Sequence, residues 1–152
     1  MANQDPQPEI YNVTADFANP TTAGTNVVTN IQTSQANNEE VRIYALLVNI
    51  TDGAGGSLAA GAADVDFNVQ LTIGPNNIPS NAFNIMPTFL SESKMLTFPS
   101  PILVLYQYPL QVTVTCNAAT TNVRQVQIQL ISELALQKVA GTYTDSDFPR
   151  SR

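Results

Sequence analysis

Residues 64–73, DVDFNVQLTI, alternate apolar and polar positions without a fault. Val65, Phe67, Val69, Leu71 and Ile73 fall on one side of an extended chain, and Asp64, Asp66, Asn68, Gln70 and Thr72 on the other. Successive strand side chains point to opposite faces, so this pattern predicts a strand with one buried and one wet face. LQVTVTC repeats it, with Leu110, Val112, Val114 and Cys116 inward and Gln111, Thr113 and Thr115 outward. From Asn122 to Leu136 the longest strand is expected: Val126, Ile128, Leu130, Leu134 and Leu136 on one face, Gln125, Gln127, Gln129 and Glu133 on the other. ISELALQK also permits a helix, but the period through Leu130 is two.

Other elements follow from the same pattern. NVVTNIQ, from Asn26, is a short strand. EVRIYALLVNI, Glu40 to Ile50, alternates at first and then turns apolar on both faces, as a strand does on entering a covered sheet centre. GPNNIPSNA is turn chemistry. A short strand from Phe83 to Leu90 is interrupted by Pro87, which points to an edge or a bulge. Met95 opens a segment whose Pro101 and Pro109 punctuate two strands, ILVLYQY and LQVTVTC, with a corner at Tyr108-Pro109. Seven or eight short strands, turn-rich links and no clear helix predict an all-β fold: a two-sheet antiparallel sandwich or jelly roll.

The domain plan expected is an extended N-terminal arm over residues 1–25, a sandwich over 26–140 and a polar tail over 141–152. The first 25 residues hold Pro6, Pro8 and Pro20 among many polar residues. Fully extended they would reach on the order of 80 Å. They read either as a disordered terminus or as an arm that orders on a partner. Ile10, Tyr11, Val13 and Phe17 favour the arm and are the candidate partner-binding residues, because a merely solvated tail has no use for apolar anchors.

Composition narrows the function. Charged residues are only 12% of the 152, about half the usual ~25%, so Asn, Gln, Thr and Ser must cover the surface. The net charge is −6, and Lys94, Lys138, Arg42, Arg124, Arg150 and Arg152 are scattered, which argues against direct nucleic-acid binding. The apolar run FPSPILVLYQYPLQVTVTC is broken by prolines and carries a period-two polar row, so no membrane span is expected. The N-terminus lacks a signal-peptide pattern. Cys116 is expected to be a buried thiol, and the sequons at Asn12 and Asn49 read as products of an Asn- and Thr-rich composition.

Chemistry is scarce. The chain has no histidine, which removes the commonest general base and metal ligand. The glycine-alanine loop Thr51 to Ala63 lacks the Lys-Ser/Thr ending of a phosphate loop. Asp64 and Asp66 share a strand face and, with Asp52, have the chemistry for a calcium ion, but no established ligand spacing is present; they are read as a solvated strand face whose charges discourage edge pairing, and no metal is expected. A hydrolase working through Asp64 and Asp66 is the weakest reading. Tyr44, Tyr106 and Tyr108 would either line a sugar-binding face or pack within their strands. No enzyme and no cofactor are expected.

FPSPILVLYQYPLQVTVTCNAATTNVRQVQIQLISELAL, with its proline corner, valine-threonine strand, polar turn and long final strand, resembles the second half of the small jelly-roll structural proteins of tailed bacteriophage heads. The acidic, His-free, Asn- and Thr-rich chain as a whole also looks like a capsid decoration, or cement, protein. That resemblance implies a structural virion protein, made in the host cytoplasm. It would bind the outer surface of the major capsid protein lattice, commonly as a homotrimer, and clamp neighbouring capsomers. Other virion parts, such as a single jelly-roll capsid or a tail or baseplate component, and a carbohydrate-binding module remain as alternatives.

Overall fold

The computed structural model describes residues 6–18, 20–53, 56, 58, 65–120 and 123–137. Among these described residues, eight strands and one helical turn follow in order: β1 (Gln7–Phe17), β2 (Asn26–Ile31), β3 (Glu39–Thr51), β4 (Phe67–Ile73), β5 (Asn76–Asn84), α1 (Met86–Leu90), β6 (Met95–Leu105), β7 (Leu110–Cys116) and β8 (Arg124–Leu136). One sheet, A, has the order β1-β8-β3-β6, and the other, B, has β2-β7-β4-β5. Every pairing is antiparallel.

The topology is that of a long hairpin rolled up. First pairs with last, β1 with β8, then β2 with β7, β3 with β6 and β4 with β5. The tip of the hairpin is Gly74-Pro75, where Gly74 takes a φ of +58 and donates its N–H to the Pro109 carbonyl at 2.9 Å. Rolling adds the β3–β8 and β4–β7 ladders and divides the strands into two facing sheets. This is the jelly-roll form of the expected all-β sandwich.

The alternating strands behave as their patterns require. In β4, Phe67, Val69, Leu71 and Ile73 are buried, and so are Leu110, Val112, Val114 and Cys116 in β7. The Cys116 thiol donates to the Thr22 carbonyl at 3.0 Å. In β8, Val126, Ile128 and Leu130 are buried, whereas Leu134 and Leu136 are half-buried and Ala135 takes a core place. In β3 the alternation is reset at Tyr44, where the ladder to β8 steps from Ile43 to Ala45, so Ala45 and Leu46 are both buried.

Three expectations change. Residues 7–17 are not an arm: they form β1, which pairs with β8 from Gln7–Leu134 to Phe17–Arg124. Val13, Ala15 and Phe17 are core residues, and the Phe17 ring meets Phe67 of the opposite sheet at a centroid distance of 5.0 Å. β1 buries only one face of its second half, and an apolar set of three, one of them alanine, was too faint beside the prolines. Next, residues read as a turn, Asn76 to Ala82, form most of β5, which runs on to Asn84. As an edge strand it is exposed on most positions and has no alternation to show. Finally, the expected strand Phe83 to Leu90 ends at Asn84 and gives way to α1. Pro87 sits in the first turn, where a missing N–H costs nothing, and the Asn84 Oδ1 accepts from the Met86 N–H at 2.8 Å. The tail from Gly141 lies outside the described residues.

Because β1 is part of the core, Phe17→Ala is expected to lower unfolding free energy by about 3–5 kcal/mol, as burial of a large aromatic requires. A urea unfolding curve checks it; an unchanged midpoint would mean that β1 is dispensable.

Candidate functional site

The jelly roll has two poles. The β2–β3, β4–β5 and β6–β7 connections meet at one of them, where a cleft of about 470 Å³ opens. The corner after β6 makes one wall: Tyr108 donates its N–H to the Leu105 carbonyl at 3.1 Å, and Gln107 between them takes a φ of 73. The Tyr108 ring lies over Gly74, where a Cβ would come within 3.2 Å of Cδ1, so the tip glycine leaves room for the ring. The facing wall is the β2–β3 link. It is anchored by buried Gln35, whose Nε2 donates to the carbonyls of Val104 and Leu105, both at 3.2 Å.

Tyr106 is 43% and Tyr108 48% exposed, so neither packs within a strand. With Asn30, Gln32 and Thr33 they give the cleft aromatic faces and amide and hydroxyl groups, and none of its lining side chains is charged. Such a site can stack on and hydrogen-bond a neutral ligand. Sequence reasoning placed the corner at Tyr108-Pro109 but missed its exposure and the role of Gln35. A Tyr-Gln-Tyr tripeptide at a turn, with no buried face to serve, was the available signal.

Tyr44 does not line this cleft. It sits at the β3 bulge and donates its hydroxyl to Glu133 Oε1 on β8. Arg42 binds Glu40 through Nε at 2.6 Å, Glu133 through a terminal nitrogen at 3.4 Å and the Leu136 carbonyl at 3.4 Å. The hydrogen bond to Glu133, helped by burial and the carboxylate charge, raises the Tyr44 pKa. The hydrogen bond that Arg42 donates to Glu40 raises the pKa of Arg42. This cluster ties β3 to β8.

The carboxylates weighed as a calcium site are otherwise engaged where they are described. Asp52 Oδ1 accepts from the Gly56 N–H at 2.9 Å, and Asp66 Oδ1 accepts from Asn84 at 2.6 Å and Asn117 at 2.9 Å. Asp64 lies outside the described residues. No group of three or more His, Cys, Asp or Glu able to hold a metal occurs among those described. Of the four expected partner contacts, Ile10 is 56% exposed and Tyr11 is half-buried against the core. Val13 and Phe17 are buried in it.

The outer faces of the sheets are the other large surfaces. On sheet B the register aligns three rows: Asn26, Thr115, Asn68 and Asn84; then Val28, Thr113 and Gln70; then Asn30, Gln111, Thr72 and Asn77. None of these side chains is charged. Many bond sideways: Gln111 to Asn30 at 2.8 Å, Thr72 to Asn77 at 2.9 Å, and Thr115 to Asn26. On sheet A, Asn49 donates to Gln127 at 3.1 Å, Gln127 to Gln125 at 2.7 Å and Gln125 to Asp16 at 2.9 Å. Beside this ladder a shallow groove of about 480 Å³ carries the single charge of Lys94.

No family model matches the chain, and no curated protein matches it. Among solved structures it is similar to a chain described with the words "Bacillus endospore appendages form a novel family of disulfide-linked pili". The identity is 15% over 86% of this chain and 94% of the other, with a TM-score of 0.25. A TM-score that low does not establish a shared fold.

One titration follows from the Tyr44–Glu133 contact. Because the folded-state pKa of Tyr44 lies above its unfolded value, the stability it contributes is complete below the ordinary phenol range. It is lost as pH rises through the folded value. Phenolate absorbance should show Tyr44 titrating late, alongside Tyr11, whose burial also raises its pKa, and Glu133→Gln should bring Tyr44 alone back toward the ordinary range; an unmoved titration would remove the contact.

Proposed function

We propose that this protein is a structural virion component that binds the outer surface of a phage capsid and stabilises contacts between capsomers, as a cement or decoration protein does. The observation that carries this reading is the surface of sheet B, a laterally hydrogen-bonded array of neutral amides and hydroxyls around Val28. Faces of this kind pack through direct and water-bridged hydrogen bonds without burying unpaired charge. Repeated over a lattice, many modest contacts act together through effective concentration. The resemblance of the second half of the chain to phage-head jelly rolls supplies the partner, the major capsid protein. Since residues 7–17 belong to the core, the body of the sandwich makes the contacts.

The full chain, mixed with purified capsids, is expected to co-sediment with them and to raise their melting temperature. Placing two charges in the middle row, Gln70→Glu with Thr113→Glu, should weaken binding by about tenfold or more, because a contact face cannot bury them unpaired. Sedimentation unchanged by the double variant would move the contact to another face. No sedimentation at all would sink the reading.

A second reading, glycan binding, is favoured by the exposed pair Tyr106 and Tyr108 in an uncharged cleft. Here Tyr106→Ala or Tyr108→Ala should abolish retention on the glycans that the wild-type chain selects from an array. An array on which the wild-type chain binds nothing disposes of it.

A further inference from the structure

The two sheets have four edges, and they are protected unequally. On one side of the sandwich, β6 carries Pro99 and Pro101 and leaves its ladder between Thr97 and Ile102. Its neighbour across the gap, β5, carries Pro79 and leaves its ladder between Ile78 and Phe83. Prolines and bulges are the usual means of stopping an edge from recruiting another strand. On the other side lie β1, with Pro8, Glu9 and Asp16, and β2. NVVTNI of β2 has neither a proline nor a charge.

The backbone phase of β2 can be read from its neighbour. The Cys116 N–H donates to the Thr25 carbonyl at 3.0 Å and its carbonyl accepts from the Gly24 N–H at 2.7 Å, a glycine bulge that puts Cys116 at a hydrogen-bonded pair position facing β2. In an antiparallel ladder such pairs recur every second residue, so Val27, Thr29 and Ile31 turn their backbone groups toward β7. Asn26, Val28 and Asn30 therefore aim theirs away from the sheet. Among the described residues, no backbone hydrogen bond outside the β2–β7 ladder involves these three. Their side chains stand on the outer face of sheet B, and the series Asn, Val, Asn reads the same in both directions.

We propose that β2 is a self-pairing edge, joining two copies of this chain antiparallel about a two-fold axis through Val28. Val28 of each copy then faces Val28 of the other, and Asn26 of each faces Asn30 of the other. All three outward-aimed residues fall on hydrogen-bonded positions, giving about six main-chain hydrogen bonds across the axis. Val28, 54% exposed in the single chain, is the large apolar side chain that stands out on this face, and its copy covers it. A chain of net charge −6 associates with itself best where it carries no charge, and neither β2 nor the rows beside it carry any. The product is a continuous sheet in the order β5-β4-β7-β2-β2-β7-β4-β5, a closed two-fold pair in place of the homotrimer that the phage-head resemblance implies. Its use in a lattice rests on the proposed structural role, but the pairing is a property of the chain alone.

The test is made on the purified full chain without capsids, so its failure is separate from failure of the capsid reading. Light scattering and sedimentation should give twice the chain mass at high concentration. Val28→Lys places like charges opposite each other and should weaken the pair about tenfold or more while leaving the circular dichroism spectrum unchanged. Opposed residues at a hydrogen-bonded position stand about 5.5 Å apart at Cα, within disulfide reach. Val28→Cys should therefore yield a reducible covalent dimer on mild oxidation, and Asn81→Cys on the blunted β5 edge should not. If Val28→Lys fails to fold, the Val28→Cys result decides. A monomeric or trimeric mass, a dimer indifferent to Val28→Lys, or equal cross-linking at both positions overturns the proposal.

Discussion

The ladder between β1 and β8 is the constraint on which the rest depends. It joins residues more than a hundred positions apart, from Gln7–Leu134 to Phe17–Arg124, and so carries a large share of the loop-closure cost. In return it places Phe17 against Phe67 and covers the flank of β8, which would otherwise be the edge of sheet A. With the outermost pair closed, the inner pairs β2–β7, β3–β6 and β4–β5 nest within it. Folding dominated by such distant contacts is expected to be slow relative to a helical domain of this size.

Legibility in the sequence tracked burial geometry. Strands that cover one face of the core, such as β4 and β7, print that face as strict alternation, and both were readable residue by residue. Central β3 was readable as a strand but not in its phase, because the bulge at Tyr44 shifts the register in a way that no local composition marks. Edge strands print least. β5 exposes most of its positions, and the prolines and asparagines that suit an edge are also those of a turn. β1 failed for a related reason: its first half is exposed, and Ala15 contributes a buried position without a hydrophobic signal. The cleft was half legible. Proline and tyrosine marked its corner, whereas Gln35 works through a contact with β6 that only tertiary structure creates.

Low charge and neutral surface are two sides of one arrangement. In a chain with 12% charged residues, the outer faces are held by amide and hydroxyl side chains that satisfy one another across strands. These lateral bonds restrict the side-chain rotamers along the outer faces. The few charges are used locally, as in the Arg42, Glu40 and Glu133 set and in the Asp66 contacts to Asn84 and Asn117.

Nesting also has a topological consequence. Since Gln7 lies beside Leu134, the first and last strands leave the body side by side, at the pole that holds Tyr106 and Tyr108. The turn at Gly74-Pro75 lies at that pole as well. The connectivity is thus open to rewiring: a short linker can splice β8 to β1, and new ends can be opened at Gly74-Pro75 with every ladder kept. A guest peptide grafted at either pair of ends would be presented in one direction, beside the cleft.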